Sequence, residues 1–243
     1  MRLTRVFVPT SLTSGMRLSV DGTAANHITR VLRLRVGEPL TLFDGHGGEY
    51  EAAIDEIRRD AVSLSVREHH DLERESPLTT ALAQGVSRGE RMDWVVQKAT
   101  ELGVSRIIPL LTERSVVHLD EKQSARKVRH WRSIAIAACE QCGRNRLPQI
   151  DTPRGLHEFL QASRPAGTGY LLSPRADRDL ADAAPDHAGA TILIGPEGGL
   201  AEVEQQAAVA AGFTPVRMGP RVLRTETAAV AALTVLQHRY GDL

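Results

Sequence analysis

Two stretches near the C-terminal end carry the residues best placed to do chemistry: "ATILIGPEGGL" at 190–200 and "MGPRVLRTETAAVAAL" at 218–233. Each reads as an apolar strand opening into a Gly-Pro loop with a helix beyond. In a parallel sheet, ligands bind outside the carboxyl ends of the strands, where glycines such as Gly195, Gly198 and Gly199 let the backbone come close. A tight strand-to-helix turn has the same composition, so the first stretch alone decides little. It lacks the Gly-Lys-Ser/Thr of a phosphate loop and the full G-x-G-x-x-G pattern. Glu197 inside the loop would repel a phosphate and favours a cationic or hydroxyl-bearing ligand. In the second stretch Met218-Gly219-Pro220 ends a strand and Arg221 and Arg224 follow. Thr225 is expected as a helix N-cap, with Glu226 in the first turn.

The elements that must hold these loops follow from hydrophobic periodicity. Beyond Pro77 the chain alternates strands ("TTALAQGV", "RIIPLLT", "GYLLSP", "ATILIGP", "FTPVRMG") with helices ("RMDWVVQKATELG", "ARKVRHWRSIAIAACEQC", "AEVEQQAAVAAG", "ETAAVAALTVLQHRY"). In the first of these helices Met92, Val95, Ala99 and Leu102 form one apolar face, ended by Gly103. Such alternation predicts an α/β fold with a mainly parallel sheet covered on both sides. Residues before the linker "HHDLERESPL" read as short strands and turns with one helix, "ANHITRVLRL", which suggests a small β-barrel. The expected division is 1–72 and 73–243.

Formal net charge is zero, yet the charges are segregated. Residues 1–35 carry six Arg against Asp21, and 122–146 carry seven bases against Glu140, while 36–75 carry eleven acids against four Arg. Local basic patches steer anionic ligands whatever the total. Arg5, His27, Arg30, Arg33 and Arg35 make one candidate RNA surface. Arg126, Lys127, Arg129, Arg132, Arg144 and Arg146 make a second, and Arg88 is a further candidate. Solvated helix faces are the alternative at each position.

The N-terminal "MRLTRVFVP" has no apolar core of a signal peptide, and no apolar run is long enough to span a bilayer. With only two cysteines, a reducing cytoplasm is expected. Cys139 and Cys142 form a C-x-x-C inside an apparent helix with no second pair, which disfavours zinc or redox work. His69 and His70 read as a solvated hinge. His118 and His157 receive no role. No metal is expected.

Taken together, "IGPEGG", "MGPRVLRTETA", "RGERMDWVVQKATELGV" and "EQCGRNRLP" resemble the bacterial 16S ribosomal RNA uridine-N3 methyltransferases of the SPOUT superfamily. The likeness runs from "RVFVP" and "HITRVLRLRVGE" to the last helix. Cys142 stands where that family commonly has Ser. The resemblance implies an N-terminal PUA-like barrel and an α/β domain with a deep trefoil knot. It also implies a homodimer, S-adenosylmethionine as cofactor, and the small ribosomal subunit with its 16S rRNA as partner. The cofactor would lie among three loops, contacting Leu171, Leu172, Ser173 and Pro174; Ile194, Gly195, Pro196, Glu197, Gly198 and Gly199; and Met218, Gly219, Leu223, Arg224, Thr225, Thr227 and Ala228. For the methyl transfer so implied, Arg224 and Arg221 are the candidate catalytic cations facing the developing negative oxygen, and Glu226 is the candidate base or the orienter of Arg224; a purely structural Arg224–Glu226 ion pair is the competing reading. Ribose 2′-O methylation of tRNA or 23S rRNA, and a non-catalytic RNA-binding role, are the alternatives.

Overall fold

The computed structural model describes residues 4–117, 119–162 and 165–243; His118 lies outside them. The chain forms two units. One comprises the chain up to Glu75 together with Ile136–Leu147, the other Ser76–Ala135 and Pro148–Leu243.

The first unit contains β1 (Arg5–Phe7), β2 (Arg17–Asp21), α1 (Gly22–Asn26) running into a π-helical turn at His27–Leu32, then β3 (Pro39–Phe43), β4 (Glu49–Ile57) and β5 (Ala61–His70). The strand order is β1-β3-β4-β5-β2, antiparallel except for β1 beside β3. The expected small barrel is a curled half-barrel with β1 and β2 as its edges. Alternation along β5 sends Val62, Leu64 and Val66 into a core shared with Val6, Leu40, Leu42, Ala52, Ile54 and Ile28. Fully burying one such side chain stabilises the fold by about 1.5–3 kcal/mol. The helix expected at "ANHITRVLRL" begins earlier, at Gly22, and changes pitch at His27. It ends where Arg33 takes a left-handed φ of 59°.

The second unit contains β6 (Thr80–Gly85), α2 (Arg91–Glu101), β7 (Arg106–Leu111), α3 (Glu121–Cys142, whose last turns belong to the first unit), β8 (Gln149–Ile150), β9 (Arg154–Gly155), α4 (Leu156–Ala162), β10 (Thr168–Leu172), a 3-10 turn at Leu180–Asp182, β11 (Ala190–Ile194), α5 (Glu202–Ala210), β12 (Phe213–Val216) and α6 (Thr225–Tyr240). All strands of its sheet pair in parallel, in the order β12-β10-β11-β6-β7-β8, with β9 also on β7. All five residues of β11 are buried, as a strand covered on both faces requires.

Period-two alternation divides the core into two layers. Leu82, Ile107, Ile192 and Ile194 face Met92, Val95 and Ala99 of α2 and Ala229, Ala232, Leu233 and Leu236 of α6. Ala83, Ile108, Leu171 and Leu193 face Leu156 and Phe159 of α4 and Ala208 of α5. Helix α2 stops as expected, with Gly103 at φ 80° donating its N–H to Thr100 O. No helix among the described residues is long and apolar enough to cross a membrane.

Candidate active site

Strands β12, β10 and β11 are consecutive neighbours, so their carboxyl ends deliver three loops to one edge of the sheet. A cavity of about 1060 Å³ opens there. Leu171, Leu172, Ser173 and Pro174 line it from β10; Ile194, Gly195, Pro196, Glu197, Gly198 and Gly199 from β11; Met218, Gly219, Leu223, Arg224, Thr225 and Ala228 from the segment between β12 and α6. Arg221 and Glu226 line it too. Of the expected cofactor contacts only Thr227 falls outside: it is exposed on the first turn of α6 and absent from the lining.

Local geometry explains the glycines. A Cβ on Gly195 would stand 2.8 Å from both Gly199 C and Leu200 N, so the loop folds back on its own backbone only if position 195 has no side chain. Gly199 closes the turn at φ 67°, donating its N–H to Pro196 O at 2.8 Å.

Thr225 does not cap α6 as expected. Arg224 is the N-cap, without a side-chain hydrogen bond, and Thr225 is the first helical residue. Its hydroxyl instead donates to Gly195 O at 2.7 Å and accepts from Gln84 Nε2 at 2.9 Å.

Electrostatically the cavity is basic. Six exposed arginines (Arg91, Arg114, Arg175, Arg217, Arg221 and Arg224) line it against three glutamates. Glu197 is not free to repel or attract a ligand. It accepts from Arg91 Nη1 at 2.6 Å and from the Arg88 N–H at 3.1 Å. Burial raises its pKa, but the hydrogen bonds from backbone N–H groups and Arg91 outweigh that and hold the carboxyl below its ordinary value. Arg114 donates to Gly198 O at 3.1 Å, and Arg217 lies 3.9 Å from Asp179. Arg175, Arg221 and Arg224 have no ion-pair partner among the described residues, so the competing Arg224–Glu226 pair is not formed. Glu226 Oε2 is sealed from solvent and accepts no hydrogen bond among them.

Residues 74–237 match the model of an RNA methyltransferase domain, and 20–67 that of an RNA methyltransferase PUA domain. Ribosomal RNA small subunit methyltransferase E of Buchnera aphidicola (subsp. Schizaphis graminum) is 32% identical over 242 residues, covering 100% of this chain and 98% of that protein. The chain belongs to the ribosomal RNA small subunit methyltransferase E family. The Bacillus subtilis member is 30% identical, with 91% and 90% covered. Among solved structures, a family member from Neisseria gonorrhoeae bound to S-adenosyl methionine superposes with a TM-score of 0.91 at 35% identity, 99% of each chain covered. A Legionella pneumophila methyltransferase in complex with the bound cofactor SAM gives 0.95 at 40% identity, with both chains fully covered.

The arginines expected to meet RNA divide sharply within this family member. Arg30, Arg33 and Arg35 are exposed at and beyond the π-helical turn, and Arg126, Arg129 and Arg132 along α3. Arg88 is exposed before α2, and Lys127 is half-buried with its ammonium 6.0 Å from the Trp131 ring centroid. His27 lies 3.6 Å from Glu140.

Arg5 and Arg144 are corrected. Arg5 is 2% exposed: its guanidinium pairs with Glu49, donates to Asn145 Oδ1 at 2.6 Å and packs over Phe43. Arg144 is buried and forked onto Glu75 at 3.0 and 2.5 Å. Arg146 keeps surface exposure but pairs with Glu73. The acidic linker thus binds the "CGRNR" segment, and a count of local charge could not reveal that.

Sequence reasoning missed Arg91, Arg114, Arg175 and Arg217 at the cavity. Arg91 had a signal, since it stands inside "RGERMDWVVQKATELGV", and so did Arg175 and Arg217, which adjoin the expected contacts Pro174 and Met218; Arg114 had none. Among the described residues no three His, Cys, Asp or Glu side chains gather as a metal ion needs. Cys139 is buried, and its hydrogen bond with Cys142 together with burial pushes its thiol far up.

Proposed function

We propose that the protein transfers a methyl group from S-adenosylmethionine to N3 of a uridine in the 16S rRNA of the small ribosomal subunit. The observation that carries this reading is the three-loop cavity at adjacent parallel strand ends, in a chain that matches S-adenosylmethionine-bound structures over its full length. The residues present fit that cofactor. Gly195 and Gly199 give the close backbone approach an adenosine or methionine moiety needs, and the sealed Glu226 Oε2 is an acceptor in need of a donor.

Bound there, the cofactor supplies an electrophilic methyl group on a sulfonium. The nucleophile is the deprotonated imide of uridine. If its pKa lies about two units above neutral, deprotonation costs about 2.7 kcal/mol at pH 7. Arg224 and Arg221, exposed in the cavity, offset that cost by facing the oxygen that gains negative charge. In this reading Glu226, which also lines the cavity, takes the N3 proton or orients Arg224. The exposed arginines of the π-helical turn and of α3 neutralise RNA phosphates, and base recognition adds specificity. By the same reading the chain around the three loops is a trefoil knot, and two copies form the working dimer.

The test is methyl transfer from labelled S-adenosylmethionine to small subunits that lack the modification, followed by mass spectrometry of the nucleosides. The expected product is 3-methyluridine. A 2′-O-methylated nucleoside would retain fold and cofactor and refute the N3 assignment, and binding of RNA without any cofactor binding would identify a non-catalytic factor.

A further inference from the structure

Gln84 is the penultimate residue of β6, next to β11 in the sheet, and does not line the cavity. It is wholly buried. A buried primary amide is costly unless its donors and acceptor are used. Gln84 spends its donors in one place: Nε2 reaches Gly85 O at 3.1 Å and Thr225 Oγ1 at 2.9 Å. Thr225 passes the bond on, its hydroxyl donating to Gly195 O at 2.7 Å. One buried chain of hydrogen bonds thus joins the end of β6, the first residue of the glycine loop and the first residue of α6. Steric fit reinforces it. A Cβ on Gly85 would stand 2.6 Å from Pro196 Cδ and 2.8 Å from Gly195 C, so the end of β6 lies directly against the glycine loop.

This arrangement has a direction. Thr225 Oγ1 has a single proton, and Gly195 O has already claimed it. The partner at position 84 must therefore be a donor, which an amide nitrogen supplies and a carboxylate or thioether does not. We infer that Gln84 is a positioning residue for cofactor binding: through Thr225 it fixes the spacing between the glycine loop and the arginine-bearing loop that leads into α6. The inference rests on the proposed cofactor site. Gln84 touches no ligand itself, and it acts by holding two cavity walls at one separation. Gly85 O can only accept, which turns the amide nitrogen toward Thr225 and leaves Oε1 buried without a partner among the described residues.

The experiment measures S-adenosylmethionine affinity by calorimetry, and steady-state KM and kcat, for wild type, Gln84→Met, Thr225→Val and the double variant. Thr80→Val is the control, a fully buried β6 side chain at the opposite end of the same strand. Methionine keeps the volume of glutamine and removes the donor. Gln84→Met is expected to weaken cofactor binding roughly five- to twentyfold and to raise the cofactor KM alike. Its kcat at saturating cofactor stays within about twofold, and Thr80→Val binds as wild type does. The double variant binds no worse than the weaker single one, because both break one chain.

Wild-type affinity in Gln84→Met, or losses that multiply in the double variant, overturns the inference. A fall in kcat with unchanged cofactor KM overturns it as well. If Gln84→Met does not fold, Gln84→Leu is measured in its place: the same KM shift supports the chain and wild-type binding refutes it. Failure of the wild type to bind S-adenosylmethionine would refute the proposed function itself, a result separate from these.

Discussion

Arg224 stands exposed at the cavity with no ion pair among the described residues, whereas Arg144 is buried and forked onto Glu75. The two cannot be told apart by residue type or by local composition, because the deciding partner of Arg144 lies 69 residues away in sequence. Arg224→Ala is expected to lower kcat by about a hundredfold or more, the scale of losing one preorganised charge at a developing oxyanion, with thermal stability close to wild type. A variant with normal turnover would remove Arg224 from the chemistry.

Glu49 supplies the residue-scale prediction for pH. Burial raises its pKa, but hydrogen bonds and charge from Arg74 and Arg5 outweigh that and hold it below 4.5. A carboxyl lowered in the folded state contributes stability that is present above 4.5 and lost as pH falls through its folded value. Glu49→Gln should therefore cost most at neutral pH and progressively less below pH 4.5. Denaturant midpoints of both proteins at pH 7 and pH 4 check it, and a gap that stays constant with pH would show that Glu49 is not the acid-sensitive partner of Arg5.

At the scale of elements, the strands and helices that build the cavity were readable because burial on both faces leaves uninterrupted apolar runs. The 190–194 strand and its glycine loop are the clearest case. What stayed unreadable has a physical reason in each instance. Strand β2 buries only Val20 fully and pairs along one edge, so it shows no alternation. Strands β8 and β9 have two residues each, and α4 has seven, too short to display a period. The role of Thr225 was hidden because it looks like any helix-starting threonine, while its partners Gly195 and Gln84 are 30 and 141 residues distant. The prediction for this scale is Gly195→Ala. Its methyl group would strike backbone atoms of Gly199 and Leu200, which cannot swing away as a side-chain tip can. The glycine loop must open, and S-adenosylmethionine binding should fall by at least about tenfold, a loss of 1.4 kcal/mol. Unchanged binding by calorimetry would show that the loop has slack.

For the whole molecule, the important departure from a linear reading is that neither unit is one continuous stretch. A division at 72/73 leaves out Ile136–Leu147, which belongs with the N-terminal strands. There Phe7 and Phe43 pack on Cys139, with Ile136 and Leu147 alongside, and the backbone N–H of Phe7 donates to Glu140. Asn145 serves Arg5 in the same way. A fragment ending at residue 75 therefore keeps its five strands but loses the cover over two phenylalanines and a partner of a buried guanidinium. It should unfold without a cooperative transition in thermal denaturation followed by circular dichroism. A sharp, reversible transition would show that the strands suffice alone.

The same interleaving sets an order of events during synthesis. Chains emerge from the ribosome N-terminus first and fold as their parts become available. The N-terminal half-barrel is made at the outset, yet its last wall is residues 136–147. More than half of the 243 residues must leave the exit tunnel before Phe7 and Phe43 are covered. The first part of the protein to be made is thus among the later parts to be finished, and until then its apolar edge is what a nascent-chain chaperone would meet.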